Sequence, residues 1–103
     1  MCDWNAAELL AEWGARAAAE LQRLGARTSG VHDHGERATV AFEGRGFAAS
    51  VTAWPTGMLE LDARAVGARE ADVRTEKRHG RAFADAVLDE WFVVLRGLAT
   101  EAR

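Results

Sequence analysis

The chain has 103 residues, 49% hydrophobic and 28% charged, with a formal net charge of −3, which suits one globular domain around a single modest core and excludes a disordered tail. That mild charge, with no basic stripe interleaved with aromatics, speaks against nucleic-acid binding. The strongly apolar run Trp91-Phe92-Val93-Val94-Leu95 is far too short to cross a bilayer.

The N-terminal stretch carries Asp3, Glu8 and Glu12 and no basic segment, unlike a signal peptide. The one cysteine, Cys2, has no partner within the chain, as expected of a protein from a reducing cytoplasm. Lys77 is the one lysine, and the richness in Ala, Arg and Gly points to a G/C-rich bacterial genome.

Residues 3 to 24 read as an amphipathic helix: Leu10, Trp13, Ala17, Leu21 and Leu24 recur at spacings of three and four, while Glu8, Glu12, Arg16, Glu20 and Arg23 fall off that stripe. Asn5 followed by Glu8 resembles a capping pair, and Gly25 is a natural stop. Trp4 sits near the stripe's edge, where it could pack locally or serve a partner.

Residues 28 to 33 are a weaker strand candidate. Residues 37 to 43 alternate, with Ala38, Val40 and Phe42 on one face and Arg37, Thr39 and Glu43 on the other. Gly44-Arg45-Gly46 then marks a tight hairpin. In the next strand Phe47, Ala49, Val51 and Ala53 share a face opposite Ala48, Ser50, Thr52 and Trp54. After the turn Pro55-Thr56-Gly57 the alternation resumes, with Leu59, Leu61, Ala63 and Ala65 against Met58, Glu60, Asp62, Arg64 and Val66.

Residues 69 to 78 mix helix-favouring composition with alternation. Gly67 supplies a hairpin turn, and charge along an edge discourages unwanted pairing, so this segment reads as a charged edge strand. Residues 81 to 98 return to a helical period, with Ala84, Val87, Leu88, Trp91, Leu95 and Leu98 forming a broad stripe. No good Ser, Thr or Asp cap precedes that helix, and Phe92 lies near the edge of its stripe. The expected fold is therefore α+β and two-layered: an antiparallel meander of four to five strands with the N-terminal and C-terminal helices on one face. Ala49, Ala53, Ala63 and Ala65 would let the helices approach closely.

Chemistry-bearing constellations are sparse. His32-Asp33-His34 places two imidazoles on one side of a strand, but no third and fourth ligand stand at a recognised spacing, so a polar turn before Gly35 is the simpler reading. Gly44-Arg45-Gly46 joins two strands, whereas a phosphate-binding loop joins a strand to a helix. No Ser, Thr or Cys stands in a nucleophile motif, Glu60 and Asp62 suit a solvated face as well as carboxylate catalysis, and no cofactor motif is present. An enzyme is not expected.

What remains is the outer sheet face, where Trp54, Glu60 and Asp62, with Glu70, Asp72 and Arg74 on the next strand, would make a polar, net acidic surface carrying one large aromatic. It reads either as an ordinary wet face with Trp54 folded over Pro55, or as a protein-binding face with Trp54 as anchor.

One order of elements carries a resemblance. An opening helix with a Trp and a hairpin precede a strand ending Val51-Thr52-Ala53-Trp54. A glycine turn leads to the strand Leu59-Glu60-Leu61-Asp62, then to a charged strand and a closing helix containing Leu88-Asp89-Glu90-Trp91-Phe92. Over roughly residues 9 to 95 this arrangement resembles the TriTu family of immunity proteins from bacterial polymorphic toxin systems. The resemblance implies a cytoplasmic protein that binds and neutralises a cognate toxin domain, with no catalytic residue and no cofactor. Occlusion of the toxin's active surface by the acidic face around Trp54 is the expected mechanism. A monomer fits that role. The alternative is a small secretion-chaperone-like or scaffold module that forms a stable homodimer through a helix or sheet edge and binds an extended segment of an effector rather than a folded toxin domain.

Overall fold

The structure, a computed structural model, describes residues 4–101; Cys2 and Asp3 lie outside them. Helix α1 (Ala6–Arg23) begins where Asn5, in an extended conformation, accepts a hydrogen bond from the Glu8 N–H at 3.1 Å. It ends in a Schellman closure: Gly25, at φ 91°, lets Ala26 N–H reach Leu21 O and Gly25 N–H reach Gln22 O, both at 3.0 Å. Replacing Asn5 with alanine leaves an orphan donor in the first turn, and thermal unfolding should show a loss of about 1 kcal/mol.

Five strands follow: β1 (Arg27–Asp33), β2 (Ala38–Glu43), β3 (Phe47–Ala53), β4 (Met58–Ala65) and β5 (Asp72–Lys77). Each pairs antiparallel with the next, so the spatial order is the chain order. Helix α2 (Arg81–Glu101) closes the fold. This is the α+β meander that the alternation predicts, with all five strands present.

One face of the sheet is dry. Val40 and Phe42 on β2, Phe47, Ala49 and Val51 on β3, and Leu59, Leu61 and Ala63 on β4 are buried together with Leu10, Trp13 and Leu21 of α1 and Leu88, Trp91 and Leu95 of α2. Trp13 meets Phe42 edge-on, with centroids 5.7 Å apart and ring planes at 90°, the geometry an aromatic quadrupole favours. Ala49, Ala53 and Ala63 are buried as well, which lets the helices lie close over β3 and β4, while Ala65 at the end of β4 is partly buried.

Three features depart from the sequence reading or complete it. Trp4 is buried, and its indole N–H donates to Arg78 O at 3.1 Å, tying the chain entry to the β5–α2 connection. It belongs to the core, not to a partner surface. Gly80 stands where a capping side chain would be: its carbonyl accepts from Ala84 N–H at 3.0 Å, and a Cβ there would lie 2.9 Å from the Phe83 ring, so the ring occupies the space a Ser or Asp would need. Arg81, opening α2, bonds to Glu12 on α1 and to Asp85 at 3.2 Å. Those contacts, the Glu12 bond foremost, raise its pKa above the ordinary arginine value, so it latches the helices as a permanent cation.

Candidate protein-binding face

Residues directly opposed across a ladder point to the same side of a sheet, so the register determines which side chains share the face without helices. One row runs His32, Thr39, Thr52, Glu60 and Thr75. The next runs Ala41, Ser50, Asp62 and Val73, flanked by a row holding Arg27, Glu43, Ala48 and Arg64. Small side chains keep the middle of the surface shallow, and the Thr39 and Thr52 hydroxyls share a hydrogen bond at 3.1 Å.

Trp54 stands at the end of this face, one residue past β3. Its N–H donates to Met58 O at 2.9 Å and its carbonyl accepts from Gly57 N–H at 3.0 Å, so Trp54-Pro55-Thr56-Gly57 is a closed four-residue turn. The same bonding sets Trp54 opposite Met58, and the two side chains emerge on the same side. Trp54 is partly buried and Met58 is 37% exposed. Glu60 is exposed and Asp62 partly buried, one and two rows further along. Trp54, Glu60 and Asp62 are therefore brought to one surface.

The remaining predicted site residues are not. Asp72 opposes Ala63, Arg74 opposes Leu61 and Glu76 opposes Leu59, so these charged groups lie on the helix side of the sheet, while Val73, Thr75 and Lys77 face outward with Glu60 and Asp62. Arg74 sits 5.7 Å above the Trp91 ring and pairs with Glu90 of α2 at 3.4 Å. Glu70 is exposed in the bend before β5. The helices pack chiefly over β1 to β4, and the inner side of β5 lies at the seam beside α2, where Asp72 is exposed and Arg74 and Glu76 are partly buried, so their charged ends are tolerated there.

The register also corrects the expected acidity of the outer face. Glu43, Glu60 and Asp62 share it with Arg27, Arg64 and Lys77, and Arg27 lies 3.5 Å from Glu43. Its character is mixed, with an acidic pair at the centre bracketed by two cations. The alternation placed Met58 on this face without counting it among the binding residues, and it did not place Val73, 57% exposed, there. The signal for Met58 was its position opposite Trp54 across a four-residue turn; Val73 needed the β4–β5 register.

Elsewhere, Asp33 accepts from Gly35 N–H at 2.9 Å and His34 N–H reaches Arg37 O at 2.7 Å, so His32-Asp33-His34 leads into a polar turn, with the two imidazoles stacked 6.4 Å apart. No cluster of three or more metal-ligating side chains occurs among the described residues. A cleft of about 500 Å³ beside the β2–β3 hairpin is bordered by Arg23, Arg45, Phe47 and Ala99. Its described lining brings no nucleophile to a base.

No protein-family model, no curated protein and no solved structure matches this chain. No helix among the described residues is long and apolar enough to cross a membrane.

Proposed function

We propose that this chain is an immunity protein, acting in the cytoplasm of a bacterium that makes a cognate toxin domain, and that it neutralises the toxin by covering its active surface. The observation that carries this reading is the helix-free sheet face, on which Trp54 and Met58 form an apolar pair beside Glu60 and Asp62. A shallow surface with an aromatic at one end and a few fixed charges is suited to a folded protein partner: the aromatic anchors and the charges set partner and register. The arrangement of elements that resembles the TriTu immunity family supports the same reading.

The mixed charge refines the expected partner. Its contact surface would offer cationic groups to Glu60 and Asp62, acceptors to Arg64 and Lys77, and a pocket for the Trp54 ring. Neutralisation by occlusion is stoichiometric, with no turnover by this chain. Co-expression with the product of the neighbouring upstream gene tests the proposal. The expected result is growth rescue together with a purifiable complex; persistent growth arrest and no complex would overturn it.

A further inference from the structure

We propose that the outer edge of β5, which pairs with no further strand among the described residues, is a self-recognition edge, through which two copies of this chain join their five-stranded sheets into one continuous antiparallel sheet. The two outer edges differ. On β1 the register slips between Thr28 and Val31, around Gly30 at φ 74°, and the Ser29 hydroxyl takes the Ala41 N–H at 3.0 Å in place of a regular ladder bond. A bulge of this kind protects an edge from pairing. β5 carries no such irregularity: its register with β4 is unbroken from Asp72 to Lys77.

The hydrogen-bonding phase shows which groups β5 leaves open. Arg78 N–H donates to Gly57 O at 2.7 Å. Because bonded and non-bonded pairs alternate in an antiparallel ladder, the main-chain groups of Glu76, Arg74 and Asp72 also turn toward β4. Those of Val73, Thr75 and Lys77 point outward. A second copy related by a two-fold axis through Thr75 would pair Thr75 with Thr75 and Val73 with Lys77, each pair exchanging main-chain bonds.

That same register orders the charges. On the helix side the sequence runs Asp72, Arg74, Glu76, Arg78, and the two-fold at Thr75 sets Arg74 opposite Glu76 and Asp72 opposite Arg78, each contact occurring twice. Shifting the axis by one residue either way opposes like charges instead: Arg74 meets Arg74 and Asp72 meets Glu76 on one side, while Glu76 meets Glu76 and Arg74 meets Arg78 on the other. Like charges directly opposed on a sheet are destabilising and unlike charges favourable, so the alternation selects one register and rejects its neighbours. Arg74, Glu76 and Arg78 already hold in-chain partners, Arg74 on Glu90 and Glu76 on Arg78 at 3.0 Å, which orients them at the seam. The contact is one strand wide, so the dimer is a reversible one of the small-interface class.

This inference does not rest on the toxin reading. It replaces the monomer expected for an occluding protein with a dimer that keeps Trp54, Glu60 and Asp62 available on the other side of the sheet.

Sedimentation of the full chain over a concentration series is the test, with dissociation constants read from the monomer–dimer equilibrium. The wild type should dimerise, more weakly as salt rises. Asp72→Arg should raise the dissociation constant about tenfold by setting like charges against Arg78, and the double variant D72R/R78D should restore it. Thr75→Pro, which removes an outward donor on an edge strand where proline is tolerated, should remain monomeric with an unchanged circular-dichroism spectrum. A wild type that stays monomeric up to millimolar concentration, or a dimer indifferent to both Asp72→Arg and Thr75→Pro, would overturn the proposal.

Discussion

Gly57→Ala is expected to destabilise the domain by about 2–4 kcal/mol, the sum of a left-handed backbone penalty and a steric clash. Gly57 has φ 94°, and a Cβ there would lie 2.9 Å from the Arg78 carbonyl oxygen and 3.2 Å from His79 Nδ1. The carbonyl cannot retreat freely, because it accepts the Trp4 indole N–H, while Arg78 N–H donates to Gly57 O. One methyl group therefore acts on the β3–β4 turn, the β5–α2 connection and the buried Trp4 together. Thermal unfolding should record a midpoint lowered by roughly 10–30 °C, given the usual conversion of about 4–8 °C per kcal/mol for a domain near this size. Gly67→Ala is the control: its φ is 85°, but nothing lies within 4 Å of its Cβ position, so only the conformational penalty of about 1–2 kcal/mol applies. Equal losses in the two variants would show that the Arg78 contact carries no weight.

The core was readable because β2, β3 and β4 carry unambiguous alternation: Phe47, Ala49, Val51, Ala53, Leu59 and Leu61 all lie on the dry face, as spacing predicts. β5 was not readable in the same way. Its two faces, Asp72-Arg74-Glu76 and Val73-Thr75-Lys77, differ too little in polarity for the period to say which points inward. The phase is set instead by how many residues the loop after β4 consumes. That loop includes a turn at Ala65–Ala68 and a bend pinned where Arg64 donates to Arg69 O at 3.0 Å. A shift of one residue exchanges the faces completely, which is why a net acidic surface was expected and one of mixed charge is found. Trp4 was hidden for a different reason. It precedes the helix whose stripe would have indicated its side, and its hydrogen-bond partner lies 74 residues away.

The divided register sharpens the largest functional prediction. Trp54→Ala with Asp62→Lys is expected to leave the fold intact, because both side chains are partly exposed and neither belongs to the buried cluster, yet to abolish protection against the cognate toxin. Truncating an interface aromatic that becomes fully desolvated costs about 2 kcal/mol or more, and reversing a charge set against a cation adds a comparable loss, so affinity should fall by roughly a thousandfold. Asp72→Lys makes the comparison decisive. It introduces the same charge change at a residue that the sequence reading placed beside Asp62, but the ladder puts Asp72 opposite Ala63 and Asp62 opposite Val73, on opposite sides of the sheet. Growth protection should survive Asp72→Lys and disappear in the Trp54/Asp62 double variant, with both proteins unfolding near the wild-type temperature. If a well-folded double variant protects as well as the wild type, the toxin is held by another surface. The apolar side chains of α2 that point to solvent, Phe83 at 68% and Val93 at 57% exposure, would then be the next to substitute.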